Sequence, residues 1–305
     1  MQEDNYCSNC IRECKTGNSF CHRRDANGFL KDKNRYNAVS FDFLFDKPIR
    51  HFRENGKLLS LGSWGCNFRC LGCQNAKLSW SETGSDLSFM ELTPDAVIDL
   101  ALANNCSGIC YTYNEPAILI ESVEEIACRA REKGLFNVLV TNSTLTEKSA
   151  KRISVFIDTV AADIKSLSDE FYYEYCGATG IPDVTNKILN CIRTFHEAGN
   201  HVEVRTNIIP GANDQIGNFH AVASWIRDNL GENTPWHLTR FFPSHKLSQL
   251  GATSLETLVE AQTAGIEEGL KFTYIYPDKG CDCAKENSLV KPQLEKTSSH
   301  CCCEK

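Results

Sequence analysis

The feature that most constrains how this chain folds is an alternation of short apolar runs with amphipathic stretches, sustained from residue 58 to residue 276. LLSLGSW (58–64) reads as a strand and leads into a cysteine-bearing loop. TPDAVIDLALANN (93–105) then reads as a helix, with Thr93 as N-cap and Pro94 at the first helical position. GICYTY (108–113), FNVLVT (136–141), VFIDTVAADIK (155–165), HVEVRTNII (201–209), WHLTRF (236–241) and KFTYIY (271–276) read as further strands. Between them AILIESVEEIACRAREKG (117–134), TEKSAKRI, TNKILNCIRTFHEAG, GNFHAVASWIRDNLG and SLETLVEAQTAGIEEG have helical spacing. About seven strands alternating with six helices imply parallel strands joined by right-handed crossovers. The expectation is an α/β fold, a partial or complete parallel (β/α) barrel of about six units, with an open doubly wound sheet as the alternative.

Such barrels carry their chemistry at the C-terminal ends of the strands. The unusual polar residues of this chain all fall there. The cysteine loop follows the first strand, YNEP (113–116) the second and TNST (141–144) the third. DIK (163–165) ends the fourth, RTN (205–207) lies near the end of the fifth, and RFFPSH (240–245) follows the sixth. Residues 1–50 do not share the period and read as a cysteine-rich N-terminal lobe, with 51–277 as the barrel core. Residues 278–305 lack sustained apolar periodicity and read as a cysteine-rich C-terminal extension, flexible unless a metal pins it.

Composition narrows the setting. No apolar run approaches the roughly 20 residues that span a bilayer, and MQEDNYCSNC has neither the basic nor the apolar region of a secretory signal. A cytoplasmic protein without a membrane partner is expected. A formal net charge of -7 argues against broad attraction to nucleic acid or anionic lipid. In a reducing cytosol, 17 cysteines point to metal or cluster ligation rather than to a disulfide framework. Five of them, Cys106, Cys110, Cys128, Cys176 and Cys191, stand alone in apolar or helical surroundings and read as small buried hydrophobes.

GCNFRCLGCQN (65–75) places Cys66, Cys70 and Cys73 in one loop. Thiolates suit zinc and iron-sulfur clusters. A closed zinc site needs a fourth ligand, typically from a second CxxC or a histidine pair, and residues 74–105 supply neither. A cluster on three cysteines keeps one iron open. The spacing C-x3-C-x2-C, in the loop after the first strand of a (β/α) barrel, resembles that of the radical S-adenosylmethionine (SAM) enzymes. The resemblance implies a 4Fe-4S cluster whose open iron is chelated by the amino and carboxylate groups of S-adenosylmethionine. It further implies reductive cleavage of that cosubstrate to methionine and a 5'-deoxyadenosyl radical, which abstracts hydrogen from a substrate.

The other strand ends extend the resemblance. YNEPAI is similar to the segment that contacts the methionine amino group in this family, implying Glu115 as its acceptor and Asn114 as a supporting contact. DIK resembles an element of the glycyl-radical-enzyme activases and places Asp163 and Lys165 near the methionine end. VRTNIIPGAND implies that Arg205 and Asn207 point to the cofactor, and the strand-three signature adds Asn142. The branch most resembled is that of pyruvate formate-lyase activating enzyme, in its AmmeMemoRadiSam-type members, which share an N-terminal cysteine lobe and a segment like HLTRFFPSHKL. Membership implies a one-electron donor such as flavodoxin or ferredoxin, and as substrate a glycyl radical enzyme, another protein or a small molecule. Two departures stand out. Gly72 replaces an aromatic that packs near the adenine, and Ser143 replaces the glycine of the family's TNG.

At the N-terminus Cys7, Cys10, Cys14 and Cys21 are close enough in sequence to enclose one metal. Zinc or a purely structural role is the expectation, because the spacing does not demand redox activity; an auxiliary iron-sulfur cluster is the rival. Cys281, Cys283 and the run Cys301, Cys302, Cys303 read as disordered or adventitious thiols, ahead of a thiol-based functional tail. His51, His196, His201 and His220 read as surface or helix-face residues, leaving His237 and His245 as the histidines for the pocket. The functional alternative is a non-enzymatic soft-metal binding or metal-handling protein, which would leave YNEP, DIK and RTN without a purpose.

Overall fold

The computed structural model describes residues 6–15 and 17–276. Strand β1 (Ala38–Phe43) precedes an alternating series: β2 (Lys57–Gly62), α1 (Pro94–Ala103), β3 (Gly108–Tyr111), α2 (Ile120–Glu132), β4 (Phe136–Thr141), α3 (Glu147–Ser154) and β5 (Thr159–Asp163). It continues with α4 (Asp169–Cys176), α5 (Val184–Glu197), β6 (His201–Ile208), α6 (Ile216–Leu230), β7 (Trp236–Arg240), α7 (Leu255–Glu267) and β8 (Thr273–Tyr276). These strands form one sheet in the order β8-β7-β6-β5-β4-β3-β2-β1. Neighbours from β2 to β8 run parallel, and β1 lies antiparallel to β2, from Ala38 opposite Gly62 to Phe43 opposite Lys57. Because β1 and β8 remain the two edges, the barrel is partial rather than closed. The sheet thus begins at Ala38, inside the segment assigned to the N-terminal lobe.

Capping follows the sequence closely. Thr93, Thr146, Ser168 and Ser254 each accept a backbone N–H of the first turn of α1, α3, α4 and α7, the role that short hydroxyl side chains play at helix starts. The expected strand at 155–165 starts only at Thr159, since α3 runs to Ser154 and an exposed Val155 caps it. Helix α4 was not foreseen. Its aromatic sequence DEFYYEYC has weak intrinsic helix propensity, and it is held by the Ser168 cap and by Gly177, whose left-handed φ of 63° ends it.

Period-two alternation divides the sheet into two faces. Leu59, Leu61, Ile109, Leu139, Val160 and Ala162 join the main core with the helices. Leu58, Cys110, Val138, Val140 and Ala161 line the other, concave face, where Leu44 and Ile49 cover them after β1. Deep in this concavity sits Glu203 of β6, fully buried. Its carboxylate accepts from the backbone of Arg50 and His51 and contacts His201 Nε2 at 2.8 Å and His237 Nε2 at 2.6 Å. Among the described residues no helix is long and apolar enough to cross a membrane. The tail cysteines Cys281, Cys283, Cys301, Cys302 and Cys303 lie outside the described residues.

Candidate functional site

The loop carrying Cys66, Cys70 and Cys73 leaves the C-terminal end of β2 and is held from several directions. Gly65 turns it with φ of 81°, and a Cβ there would stand 2.7 Å from the Cys21 carbonyl, so this position requires glycine. Backbone N–H groups of Arg69 and Leu71 donate to Cys176 O and Tyr175 O, each at 2.9 Å, bracketing Cys70 against the end of α4. On the far side Lys246 N donates to Leu71 O at 2.9 Å and Ser244 Oγ to Cys73 O at 3.0 Å. The RFFPSH segment therefore clamps the loop. Gly72 is small for a visible reason: a Cβ would lie 2.8 Å from the buried Phe241 ring. The space beside Gly72 is filled by Phe241, the residue after β7.

Burial pushes the Cys66 and Cys73 thiols up, helped by the neighbouring sulfurs. For Cys70 the hydrogen bond that its S–H donates to Cys176 is the largest cause of a value well above the ordinary one, with burial next. Thiolates are stable in such a setting only against a cation.

Around the loop the strand ends bring Asp163, Lys165 and Arg205 together. Asp163 at the end of β5 accepts from Lys165 Nζ through one oxygen and from Arg205 through the other. Burial alone would raise its pKa, but the two cations more than offset it and hold the carboxyl below its usual value. Lys165 loses to burial and gains more from Asp163, with a net rise, and its charge reaches both Cys70 and Cys176. Arg205 Nε is buried without a hydrogen-bond partner.

Glu115, on the segment after β3, accepts from Thr141 Oγ1 at 2.7 Å, Asn142 N at 2.7 Å and Ala117 N at 3.1 Å. Burial dominates over these donors and pushes its pKa to about 7. Asn114 ties β3 to the thiol loop, accepting from Ser63 N at 3.1 Å and donating to Gly65 O at 3.0 Å. Asn142 lies half-buried beside Ser143, whose φ of 61° is the left-handed conformation that glycine would adopt without strain. Asn207 directs its amide to Thr239 and to the Arg240 carbonyl, next to the clamp.

The histidines divide. His245 packs edge-on against Trp80 at 4.4 Å beside the loop. His237 is fully buried against Glu203; the half-buried His201 reaches the same carboxylate with its ring, while His51, exposed as expected, reaches it only through its backbone N–H. Sequence reasoning missed Cys176, Phe241 and Glu203 in these roles. Only HVEVRTN carried a signal, since an acidic residue in the middle of an apolar strand calls for a buried partner.

The donor set fits a thiolate-ligated cluster. Cys66, Cys70 and Cys73 are three buried or partly buried thiols on one loop, with the Lys165 cation acting on Cys70 and Cys73, and thiolates are the ligands that iron-sulfur clusters take. A family model described as the Radical SAM superfamily matches residues 63–220. An uncharacterized protein of Methanocaldococcus jannaschii is 37% identical over 88% of this chain and 80% of its own length. A second protein of that organism, named provisionally as a glycyl-radical enzyme activating enzyme, is 32% identical over 54% of this chain and 66% of its own. In fold, Streptococcus suis SuiB is similar with a TM-score of 0.57 at 12% identity, over 79% of this chain and 53% of that one. The family uses a 4Fe-4S cluster and S-adenosylmethionine. With its three-thiol loop on the rim of a partial barrel, the chain belongs to the radical S-adenosylmethionine superfamily.

Proposed function

We propose that this radical SAM enzyme is an activase, which abstracts a hydrogen atom from a backbone glycine of a partner glycyl radical enzyme. The observation that carries the reading is the convergence of Asp163, Lys165 and Arg205 beside Cys70. Relatives whose names describe activating enzymes support the choice of a protein substrate. Cys66, Cys70 and Cys73 hold the cluster, which when bound supplies the electron that cleaves S-adenosylmethionine. Glu115 receives the methionine ammonium, and that cation favours the ionised form of a carboxyl otherwise balanced near neutrality. Arg205, with a free Nε–H, and Lys165 orient the methionine carboxylate while Asp163 keeps both cations in place. Asn114, Asn142 and Asn207 position the backbone of three strand ends around that pocket. A cytoplasmic flavodoxin or ferredoxin serves as the electron donor.

Protein isolated anaerobically and given S-adenosylmethionine and dithionite should release 5'-deoxyadenosine. A glycine-centred electron paramagnetic resonance signal on an added partner selects the activase reading. Turnover of a small molecule or peptide, with no such signal on any partner, overturns it.

A further inference from the structure

Four thiols of the N-terminal lobe have no part in the site above; of the arginines around them Arg24 pairs with Glu121 at 2.8 Å, whereas Arg12 and Arg23 form no ion pair among the described residues. Cys10 and Cys21 are buried, Cys7 and Cys14 partly so. Turns bring them together: Cys7 N donates to Cys14 O at 2.7 Å, Glu13 N to Cys10 O at 3.0 Å, and Phe20 N to Cys14 Sγ at 3.5 Å. Cys10 lies within electrostatic reach of both Cys7 and Cys21.

Arg12 stacks on Phe20 at 3.5 Å and donates to the carbonyls of Asn67 and Gly177. Arg23 is 0% exposed, donates to Ser63 Oγ and to the carbonyls of Trp64, Lys31 and Asp32, and leaves Nε unpartnered. Among the described residues neither guanidinium forms an ion pair. The Asp32 carboxylate near Arg23 is engaged by Arg35 at 3.4 Å and by Trp64 Nε1 at 3.3 Å. The ionisable anions that act on Arg12 are the thiols Cys10, Cys14 and Cys66, and Cys21 acts on Arg23 beside Asp32. A buried cation without a nearby anion is costly. Neutral thiols do not balance it; thiolates do.

We propose that Cys7, Cys10, Cys14 and Cys21 hold a second metal-thiolate centre, whose net negative charge is the counter-anion of Arg12 and Arg23. The ligand is a thiophilic centre, either one zinc ion or one iron-sulfur cluster, since four thiolates around either leave an anionic unit. On uptake of zinc or a preformed cluster the S–H bonds are exchanged for metal–sulfur bonds, the protons pass to solvent, and no electron moves. The centre also braces the radical-site loop. Asn67, 1% exposed, hydrogen-bonds Cys10, stands 3.9 Å from Cys66 Sγ through its Oδ1 and donates to Thr144 Oγ1 at 2.9 Å.

The test counts metal and acid-labile sulfide per chain in full-length protein isolated anaerobically. C66A/C70A/C73A protein, shown to be folded by circular dichroism, should keep one zinc or about four irons. C7S/C14S protein, altered at the two less buried thiols, should lose that increment and keep the iron of the central loop. Sulfide with iron identifies a cluster, and zinc without sulfide identifies an ion. A metal-free C66A/C70A/C73A protein, or C7S/C14S protein with the wild-type metal content, overturns the second centre; if the triple variant fails to fold, the double variant decides. Wild-type protein that keeps the lobe metal yet releases no 5'-deoxyadenosine would instead sink the radical reading and leave this one standing.

Discussion

Glu115 and Glu203 are both glutamates buried beyond the reach of solvent, one at the rim of the barrel and one deep in its concave face, and their acidities diverge. Glu203 is held at about 2, because bonds from His201, His237 and the His51 backbone overcome the burial that would raise it. Glu115 stands at about 7, because burial outweighs its hydroxyl and two amide donors and Asp163 adds a like charge. The difference separates scaffold from site. The lower network surrounds a charge that the fold itself satisfies, with His237 Nδ1 as its one unpartnered buried atom among the described residues. At the rim the fold keeps groups that are incompletely satisfied: the raised thiols, Arg205 Nε, and the strained Ser143 with its unpartnered Oγ. Such groups await partners from outside the chain.

The largest expected effect is at the loop itself. Cys70→Ala should abolish 5'-deoxyadenosine formation to background in the anaerobic dithionite assay, while guanidinium unfolding changes little. Glu203→Gln should do the reverse. It places an amide among donors that need an acceptor and should cost about 3 kcal/mol in denaturant unfolding. Its 5'-deoxyadenosine yield per folded molecule should stay within about twofold of wild type. If Glu203→Gln lost cleavage as completely as Cys70→Ala, the division between scaffold and site would fail.

Acid titration sharpens the contrast. The Glu203 pKa falls from 4.5 to about 2 on folding, so its contribution is present above the unfolded value and is lost as pH drops from 4.5 toward 2, on the order of 3 kcal/mol. Glu203→Gln should flatten that part of the stability curve. Glu115 shifts the other way, up to about 7; its burial penalty grows as pH rises from 4.5 through 7. Affinity for S-adenosylmethionine, measured by equilibrium dialysis, should therefore rise as pH climbs through about 7, and Glu115→Gln should remove the dependence. The smallest effect is expected at Ser143→Gly, which relieves a left-handed φ of 61° at the expense of chain entropy, for a net gain under about 1 kcal/mol by thermal unfolding.

The parallel order of β2 through β8 was legible because each apolar run and amphipathic stretch carries its own period, and the caps Thr93 and Thr146 mark their helices locally. The placing of Cys66, Cys70 and Cys73 on one loop after β2 was equally legible, since their spacing is short-range. Helix α4 and strand β1 were not. The first has weak propensity and exists through its cap and Gly177, and the second is a strand only because β2 offers it an edge.

By itself the amino-acid sequence determined the barrel plan, the thiol loop and the polar strand ends, all of them written in short-range spacing. Tertiary structure alone decided that Cys176 touches Cys70, that Phe241 fills the space above Gly72, and that three histidine-bearing segments meet Glu203. These contacts join residues far apart in the chain, and their energies depend on burial and on the charge of the neighbour, neither of which any local pattern encodes.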